Sequence, residues 1–210
     1  MMLVNNLIYF ILHLDKYAGM LIQNFGLFTY LILFLIVFCE TGLVIAPFLP
    51  GDSLLFVFGT FASIGAINIF MLYIVFLAAA ILGDTANYWI GYHFGARVFA
   101  KSRFFKKEYL DMTKEFYKKH GGKTIVFARF IPVMRTFAPF VAGIGKMDYI
   151  RFFIFNIIGG LIWVSIFLLG GFFFGQIPFV RENLTLILLI IIFVSLMPAV
   201  IRYLRHKARK

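Results

Sequence analysis

The sequence predicts an all-α integral membrane protein, built as an inverted repeat with two re-entrant, broken-helix hairpins. Of its 210 residues, 62% are hydrophobic and 14% are charged, whereas soluble domains are about 45–50% apolar and about 25% charged. Four charges interrupt apolar stretches that also contain prolines: Glu40, Asp52, Arg129 and Arg135. Ionisable groups at membrane depth need partners, and acids in one half with arginines in the other favour two facing hairpins around a midplane site.

The formal net charge of +11 indicates membrane topology. Nine Lys or Arg lie in residues 97–123 and five in residues 202–210, which is how cytoplasmic segments look under the positive-inside rule. No nucleic-acid-binding module is recognisable around these bases. The single cysteine, Cys39, excludes an internal disulfide framework.

The N-terminal part of the chain predicts one interfacial helix and one hairpin. Residues 1–22 alternate apolar and polar side chains, with Asp15 and Lys16 in the middle, so an amphipathic helix on the membrane surface fits better than a span. Residues 25–66 are apolar on both sides of a polar, proline-containing break. Each apolar arm is shorter than the roughly 20 residues that a spanning helix needs, although the first would reach about 20 if it continued to Ala46. A re-entrant hairpin is predicted here, and a full span before it stays open.

The orientation of the second hairpin follows from counting membrane crossings. Residues 149–175 and 184–201 read as spans, and both the basic loop ending at Lys123 and the basic tail beginning at Arg202 should face the cytoplasm. Two crossings between them satisfy this rule, and three do not. Residues 124–145 are therefore expected to re-enter, from the face opposite to the first hairpin, whereas the side of the N-terminus stays open.

One membrane domain, 1–210, contains all of these predicted segments. They are an amphipathic helix (1–22), a re-entrant hairpin (25–66), a span (68–95), a basic amphipathic cytoplasmic segment (97–123), a second re-entrant hairpin (124–145), two spans (149–175 and 184–201) and a basic cytoplasmic tail (202–210).

Three motifs, in order along the chain, carry a family resemblance. They are Cys39-Glu40-Thr41-Gly42 with Pro47-Phe48-Leu49-Pro50-Gly51-Asp52-Ser53, Gly83-Asp84 with Asn87-Tyr88-Trp89-Ile90-Gly91, and Phe127-Ala128-Arg129-Phe130-Ile131-Pro132 with Arg135-Thr136-Phe137-Ala138-Pro139 and Ala142-Gly143. The pattern resembles the DedA family of bacterial inner-membrane proteins, which belongs with the VTT-domain, or SNARE-associated Golgi protein, superfamily. The resemblance covers nearly the whole chain.

That resemblance implies a VTT fold with two re-entrant hairpins and a role in moving lipids between leaflets. Undecaprenyl phosphate, phosphatidylethanolamine and phospholipids in general are the cargoes it suggests, together with maintenance of the proton-motive force. It places the family's functional acids at Glu40 and Asp52 and its arginines at Arg129 and Arg135.

The residues themselves support proton coupling at the acids and phosphate binding at the arginines. Burial favours a protonated carboxylate and a nearby arginine favours an ionised one, so Glu40 should respond to movement of its partner. The planar fork of arginine suits bidentate phosphate binding. Simpler alternatives stay open: Asp52 as a helix N-cap, Glu40 as an ion-pair partner, and both arginines as counter-ions.

Further residues have structural or path roles in this interpretation. Asp84 and Asn87 are either part of a substrate path or helix-packing groups. The residues expected to break the hairpins are Pro47, Pro50, Gly51, Pro132 and Pro139.

The resulting functional hypothesis is an inner-membrane lipid translocase, flippase-like or scramblase-like, that moves phosphate-bearing lipids such as undecaprenyl phosphate or phospholipids and is coupled to protons. The alternative is a proton-coupled transporter of small cations or solutes that supports the proton-motive force. Because acids and bases are segregated without a metal-binding cluster, enzymatic activity is not expected. No cofactor, metal or nucleic-acid partner is expected, the proton is the coupling ion, and a homo-oligomer stays open.

Overall fold

The computed structural model describes residues 14–43, 51–101, 117, 119–184, 186–187 and 189–191, and among them all regular secondary structure is helical. The helices are α1 Leu14–Phe25, α2 Phe28–Gly42, α3 Gly51–Ser63, α4 Ile69–Lys101, α5 Thr124–Ala128, α6 Pro132–Ile144, α7 Tyr149–Val164, α8 Gly170–Phe174 and α9 Pro178–Glu182. A 3₁₀ turn, Gly121–Lys123, precedes α5, and a π-helical turn, Ser165–Leu169, joins α7 to α8.

Two helical stretches are long and apolar enough to cross a membrane. They are Ile69–Gly95, with a mean hydropathy of 2.1, and Tyr149–Phe174, with a mean hydropathy of 2.4. They coincide with the two spans expected at 68–95 and 149–175. At 1.5 Å per residue, either is long enough for the hydrocarbon core of about 30 Å. Most of the third expected span, most of the basic segment, the basic tail and residues 1–13 lie outside the described residues.

Polar caps begin both long helices. Asn68 Oδ1 accepts hydrogen bonds from the backbone N–H groups of Phe70 (2.9 Å) and Met71 (3.1 Å). Asp148 Oδ1 accepts one from the N–H of Arg151 at 2.9 Å. These side chains satisfy N–H groups that have no partner within the helix, so both helix starts are encoded locally.

The second predicted hairpin is broken where the sequence indicates, between α5 and α6. Ile131, just before Pro132, is extended with φ −121° and ψ 108°, as expected for a residue that precedes proline. The expectation that Pro139 also breaks the chain is wrong, because Pro139 lies inside α6. A proline removes one backbone hydrogen bond, but membrane helices tolerate that loss where neighbouring groups compensate.

The first hairpin has a matching break. Helix α2 ends at Gly42 and α3 begins at Gly51, while the connecting residues, which include Pro47 and Pro50, lie outside the described residues. Re-entry of either hairpin stays a prediction.

The chain divides into two compact units. The first comprises Met1–Phe34, Pro50–Phe76 and Val164–Val194, and the second comprises Leu35–Leu49, Leu77–Trp163 and Ser195–Lys210.

In the first unit, α3 packs against the π-helical turn and α8. A Cβ atom at Gly171 would overlap the carbonyl oxygen of Phe56, and one at Gly59 would overlap that of Leu168. Thr60 Oγ1 also donates to the Gly171 carbonyl at 3.2 Å. The missing side chains therefore let two helix backbones touch, as small residues do in membrane proteins.

The second unit has the same kind of contact between α6 and α4. A Cβ at Gly143 would overlap the Tyr88 carbonyl oxygen, and one at Gly91 would overlap that of Phe140. In each unit, a helix of a broken segment, α3 or α6, thus contacts the backbone of one of the two long helices through glycine residues.

The turns after α3 and α6 are alike as well. Each is closed by the two backbone hydrogen bonds of a Schellman motif, with a left-handed residue at Gly65 (φ 77°) and at Lys146 (φ 49°). The capping residues of the long helices, Asn68 and Asp148, follow two or three residues later.

Replacing Gly171 by alanine should destabilise the first unit. The new Cβ has no room beside the Phe56 carbonyl, and overpacking costs about 1–3 kcal/mol. Gly170→Ala is the matched control, because a Cβ there meets nothing within 4 Å, and alanine favours a helix by up to about 1 kcal/mol. Thermal unfolding in detergent should show a lower Tm for Gly171→Ala only. Equal stability of the two variants would contradict the close packing.

Candidate functional site

The buried charged residues of the second unit lie beside one face of α4. Asp84, Asn87, Tyr88 and Gly91 lie at positions i, i+3, i+4 and i+7 of this helix, which places them on one face. All four are buried. A span that buries an acid and an amide on its packed face indicates a polar site within the protein.

Arg129, just after α5, binds Asp84 and Asn156. Arg129 Nη2 lies 2.5 Å from Asp84 Oδ2 and 2.6 Å from Asn156 Oδ1. Asn156 on α7 is itself fixed, because its Nδ2 donates to the Ile81 carbonyl of α4 at 3.0 Å. All three side chains are buried, so α4, the second broken segment and α7 meet at one charged hydrogen-bond cluster.

Glu40 and Arg135 form a second, longer ion pair. Arg135 Nη1 lies 3.4 Å from Glu40 Oε1, and both side chains are 6% exposed. The Cζ atom of Arg135 lies 4.0 Å from the centroid of the Trp163 ring, and Trp163 is fully buried. A cation over an indole face gains about 2 kcal/mol when desolvated. Arg135 therefore has a second source of stabilisation besides the Glu40 carboxylate.

Asn87 ties together the backbones that carry Glu40 and Arg135. Its Nδ2 donates to the carbonyl of Thr41 at 3.2 Å and to that of Thr136 at 2.7 Å. Each of these carbonyls belongs to the residue directly after one member of the ion pair. One amide group thus fixes the separation of the two backbones at the pair.

The four charges balance but are costly to bury. Two carboxylates and two guanidinium groups sum to zero, yet a buried ion pair recovers its desolvation cost only when the remaining polar atoms also find partners. Among the described residues, the buried atoms without a hydrogen-bond partner include Asp84 Oδ1, Asn87 Oδ1, Arg129 Nε and Arg129 Nη1. The site thus contains buried hydrogen-bonding atoms that the contacts among the described residues leave unsatisfied.

Tyr117 adds a neutral hydroxyl at the edge of this unit. Its hydroxyl donates to the Ala138 carbonyl at 3.0 Å. Burial raises the pKa of Tyr117, and the charge of Asp84 raises this pKa further, so the hydroxyl stays protonated and keeps its hydrogen bond to α6.

Proteins of similar sequence identify the family to which this chain belongs. The VTT domain model matches residues 49–173. The protein DedA of Escherichia coli (strain K12) is 53% identical over 209 residues, which are 98% of this chain and 95% of that protein. The chain belongs to the DedA family.

More distant relatives also carry membrane-protein names. An uncharacterized membrane protein of Mycobacterium leprae is 47% identical over 168 residues, 79% of this chain and 75% of the relative. The inner membrane protein YqjA of E. coli K12 is 34% identical over 151 residues, 71% of this chain and 69% of the relative. No solved structure gives a significant match. This DedA-family chain is therefore a membrane protein.

Two of the acids predicted at this DedA-family site form ion pairs with its arginines. Glu40 pairs with Arg135, whereas Arg129 binds Asp84, for which the sequence predicts only a path or packing role. Asp52 belongs to the first unit, in the first turn of α3. It lies one residue inside the helix rather than at the N-cap position, where an acid still interacts favourably with the helix dipole.

Two side chains of the site, Asn156 and Trp163, are not among the residues that the sequence motifs indicate. Asn156 could have been identified from the sequence, because it is the single amide in the apolar stretch 149–175 and a polar group in such a helix needs a buried partner. Trp163 could not, since an aromatic residue in a membrane span is commonly a packing residue. Within the described residues, no group of three or more His, Cys, Asp or Glu could hold a metal ion.

Proposed function

We propose that this DedA-family protein is a lipid translocase of the bacterial inner membrane, which moves phosphate-bearing lipids between leaflets and uses protons to do so, without changing the lipid covalently. The observation that carries the proposal is the buried pair of Arg135 and Glu40, 3.4 Å apart, with the Trp163 ring against the guanidinium. Such an arginine can exchange one anion for another while staying in place.

The coupling follows from competition for Arg135. A lipid phosphate and the Glu40 carboxylate are both anions that bind a guanidinium, and a planar fork binds phosphate especially well. Protonation of Glu40 removes its charge, while the Trp163 ring continues to stabilise Arg135. A proton on Glu40 therefore favours phosphate at Arg135, and its release expels the phosphate.

The other predicted site residues complete this proposal. Arg129 is the second phosphate contact, and its Nε and Nη1 atoms have no hydrogen-bond partner among the described residues. Asp84 and Asn87 line the path beside it. Asp52 is the second acid that exchanges protons.

The two units contain the same kind of element, which supports an internal repeat. Each has a helix of a broken segment that packs through glycine on a long helix and ends in a Schellman motif. We infer that these are two copies of one element, that the hairpins re-enter from opposite faces, and that the multi-pass chain ends in the cytoplasm. The basic composition of residues 97–123 and 202–210 supports that orientation, because cytoplasmic segments are rich in Lys and Arg.

Reconstituted liposomes test the function. The protein should accelerate transbilayer movement of a fluorescent phosphatidylethanolamine and of undecaprenyl phosphate, and a pH gradient should increase the rate. A fluorescent glucosylceramide, polar but without phosphate, should move no faster than in protein-free liposomes. Headgroup release should stay at background. Equal acceleration of the glucosylceramide, or none for either phosphate lipid, would contradict the proposal, and released headgroup would indicate an enzyme.

One observation favours transport of a small cation instead. Asp84 Oδ1 and Asn87 Oδ1, one helical turn apart, are buried without a hydrogen-bond partner among the described residues, and oxygen atoms are the ligands of hard cations. Proton-coupled sodium or potassium flux in the same liposomes, without lipid movement, would support this alternative.

A further inference from the structure

The way in which Arg129 is held suggests roles for two residues of α7. Asn156 Oδ1 accepts from Arg129 Nη2 at 2.6 Å, and Asp84 Oδ2 binds the same nitrogen at 2.5 Å. Both acceptors thus use one end of the guanidinium. The other two nitrogens, Nε and Nη1, are buried and have no hydrogen-bond partner among the described residues.

The contacts of Asn156 leave little freedom for its amide. Its Nδ2 donates to the Ile81 carbonyl at 3.0 Å and lies 3.4 Å from Thr85 Oγ1, so Oδ1 faces Arg129. The residue is fully buried. Asn156 therefore acts as a neutral acceptor that orients Arg129 without cancelling its charge.

A glycine one turn further along α7 gives the arginine its space. A Cβ at Gly159 would lie 3.1 Å from both Cδ and Nε of Arg129, closer than ordinary van der Waals contact. Arg129 hence lies directly on the α7 backbone at Gly159, with its tip at Asn156.

Leaving N–H groups of a buried guanidinium without acceptors is costly. A phosphate oxygen at Nη1 would supply an acceptor for that nitrogen. Asp84 alone could bind Arg129 in several orientations, including a bidentate one that occupies both ends of the fork. The neutral oxygen of Asn156 favours the orientation that leaves Nη1 available.

We infer that Asn156, together with Gly159, is a positioning residue of the phosphate site: it holds Arg129 by Nη2 so that Nη1 can donate a hydrogen bond to the phosphate of the lipid. The inference rests on the proposed function, and it assigns neither residue a direct contact with the lipid.

Three variants of the full-length protein separate positioning from simple stabilisation. Asn156→Asp puts a second carboxylate beside Asp84 and loses the amide donor to the Ile81 carbonyl, so its Tm should fall. In the folded protein, its dissociation constant for dioleoyl phosphatidate should rise at least tenfold, because the added charge competes with phosphate. Asn156→Ala and Gly159→Ala should raise this constant several-fold. Asn183→Asp is the control, since Asn183 lies in the first unit, where its side chain donates to the Phe179 carbonyl.

Binding is measured against dioleoyl glycerol, which has the same acyl chains without phosphate, and with inorganic phosphate as competitor. Competition by inorganic phosphate would show that the phosphate group suffices, and its failure would show that the attached lipid is required. In liposomes, the apparent KM for fluorescent phosphatidylethanolamine should rise for Asn156→Asp while the maximal rate per folded protein is retained.

A purely structural role predicts the opposite pattern. Asn156→Ala would then lower the Tm, yet all variants would bind phosphatidate like the wild type, and this result would overturn the inference even if one variant failed to fold. If the wild-type protein itself does not prefer phosphatidate to dioleoyl glycerol, the proposed function fails, whatever the variants do.

Discussion

Glu40→Gln should give a folded, membrane-inserted protein whose lipid movement no longer responds to a pH gradient. Glutamine preserves the size of the side chain and can still hydrogen-bond Arg135, but it cannot gain or lose a proton. Breaking a buried ion pair costs about 3–5 kcal/mol, and we expect the lower end because the Trp163 ring still stabilises the arginine. The measurement is the liposome rate for fluorescent phosphatidylethanolamine with and without the gradient.

The control for this experiment is Asp148→Asn. Asp148 is exposed and caps α7, and asparagine is an equally good N-cap, so the variant loses one acidic charge outside the site. It should keep the gradient response of the wild type. A gradient-dependent rate in Glu40→Gln equal to that of Asp148→Asn would remove Glu40 from the coupling mechanism.

Arg135→Lys should weaken binding of phosphate lipids at least tenfold, which corresponds to about 1.4 kcal/mol. The charge is unchanged, so a role as counter-ion to Glu40 would survive. What is lost is the planar fork that binds phosphate with two hydrogen bonds and stacks on the Trp163 ring. Equilibrium binding of fluorescent phosphatidylglycerol in detergent measures the change.

Arg151→Lys provides the matched comparison. Arg151 is exposed near the start of α7, and the same replacement there should leave binding unaltered. Wild-type affinity in Arg135→Lys would reduce Arg135 to a counter-ion and remove the main support for a phosphate-bearing cargo.

The sequence was sufficient for local features of the fold. Apolar length identified the two long helices, and Pro132 identified the break before α6, because a residue before proline avoids the helical conformation. The same rule failed at Pro139, where the surrounding helix continues on both sides. Proline is compatible with a membrane helix when tertiary contacts compensate for the missing hydrogen bond, and a single sequence does not show those contacts.

Which acid pairs with which arginine depends on the tertiary packing of the helices, which the sequence does not show directly. The sequence predicts that Glu40 pairs with an arginine but not with which one, and the structure shows Arg135. Arg129 could equally have paired with Glu40, Asp52 or Asp84, since all are acids in apolar surroundings. Its choice of Asp84 follows from helix packing, in which the contacts at Gly91 and Gly143 bring the second broken segment against α4.

In the proposed mechanism, Glu40 and a lipid phosphate compete for Arg135. Equilibrium binding of fluorescent phosphatidylglycerol, a phosphodiester whose own charge is constant across neutral pH, tests it most directly when measured from acid to alkaline pH. The wild-type affinity should fall as pH rises, because Glu40 ionises and takes the guanidinium, whereas Glu40→Gln should bind with one high affinity throughout. A wild-type affinity that does not depend on pH, or a Glu40→Gln variant that keeps the wild-type dependence, would contradict the account.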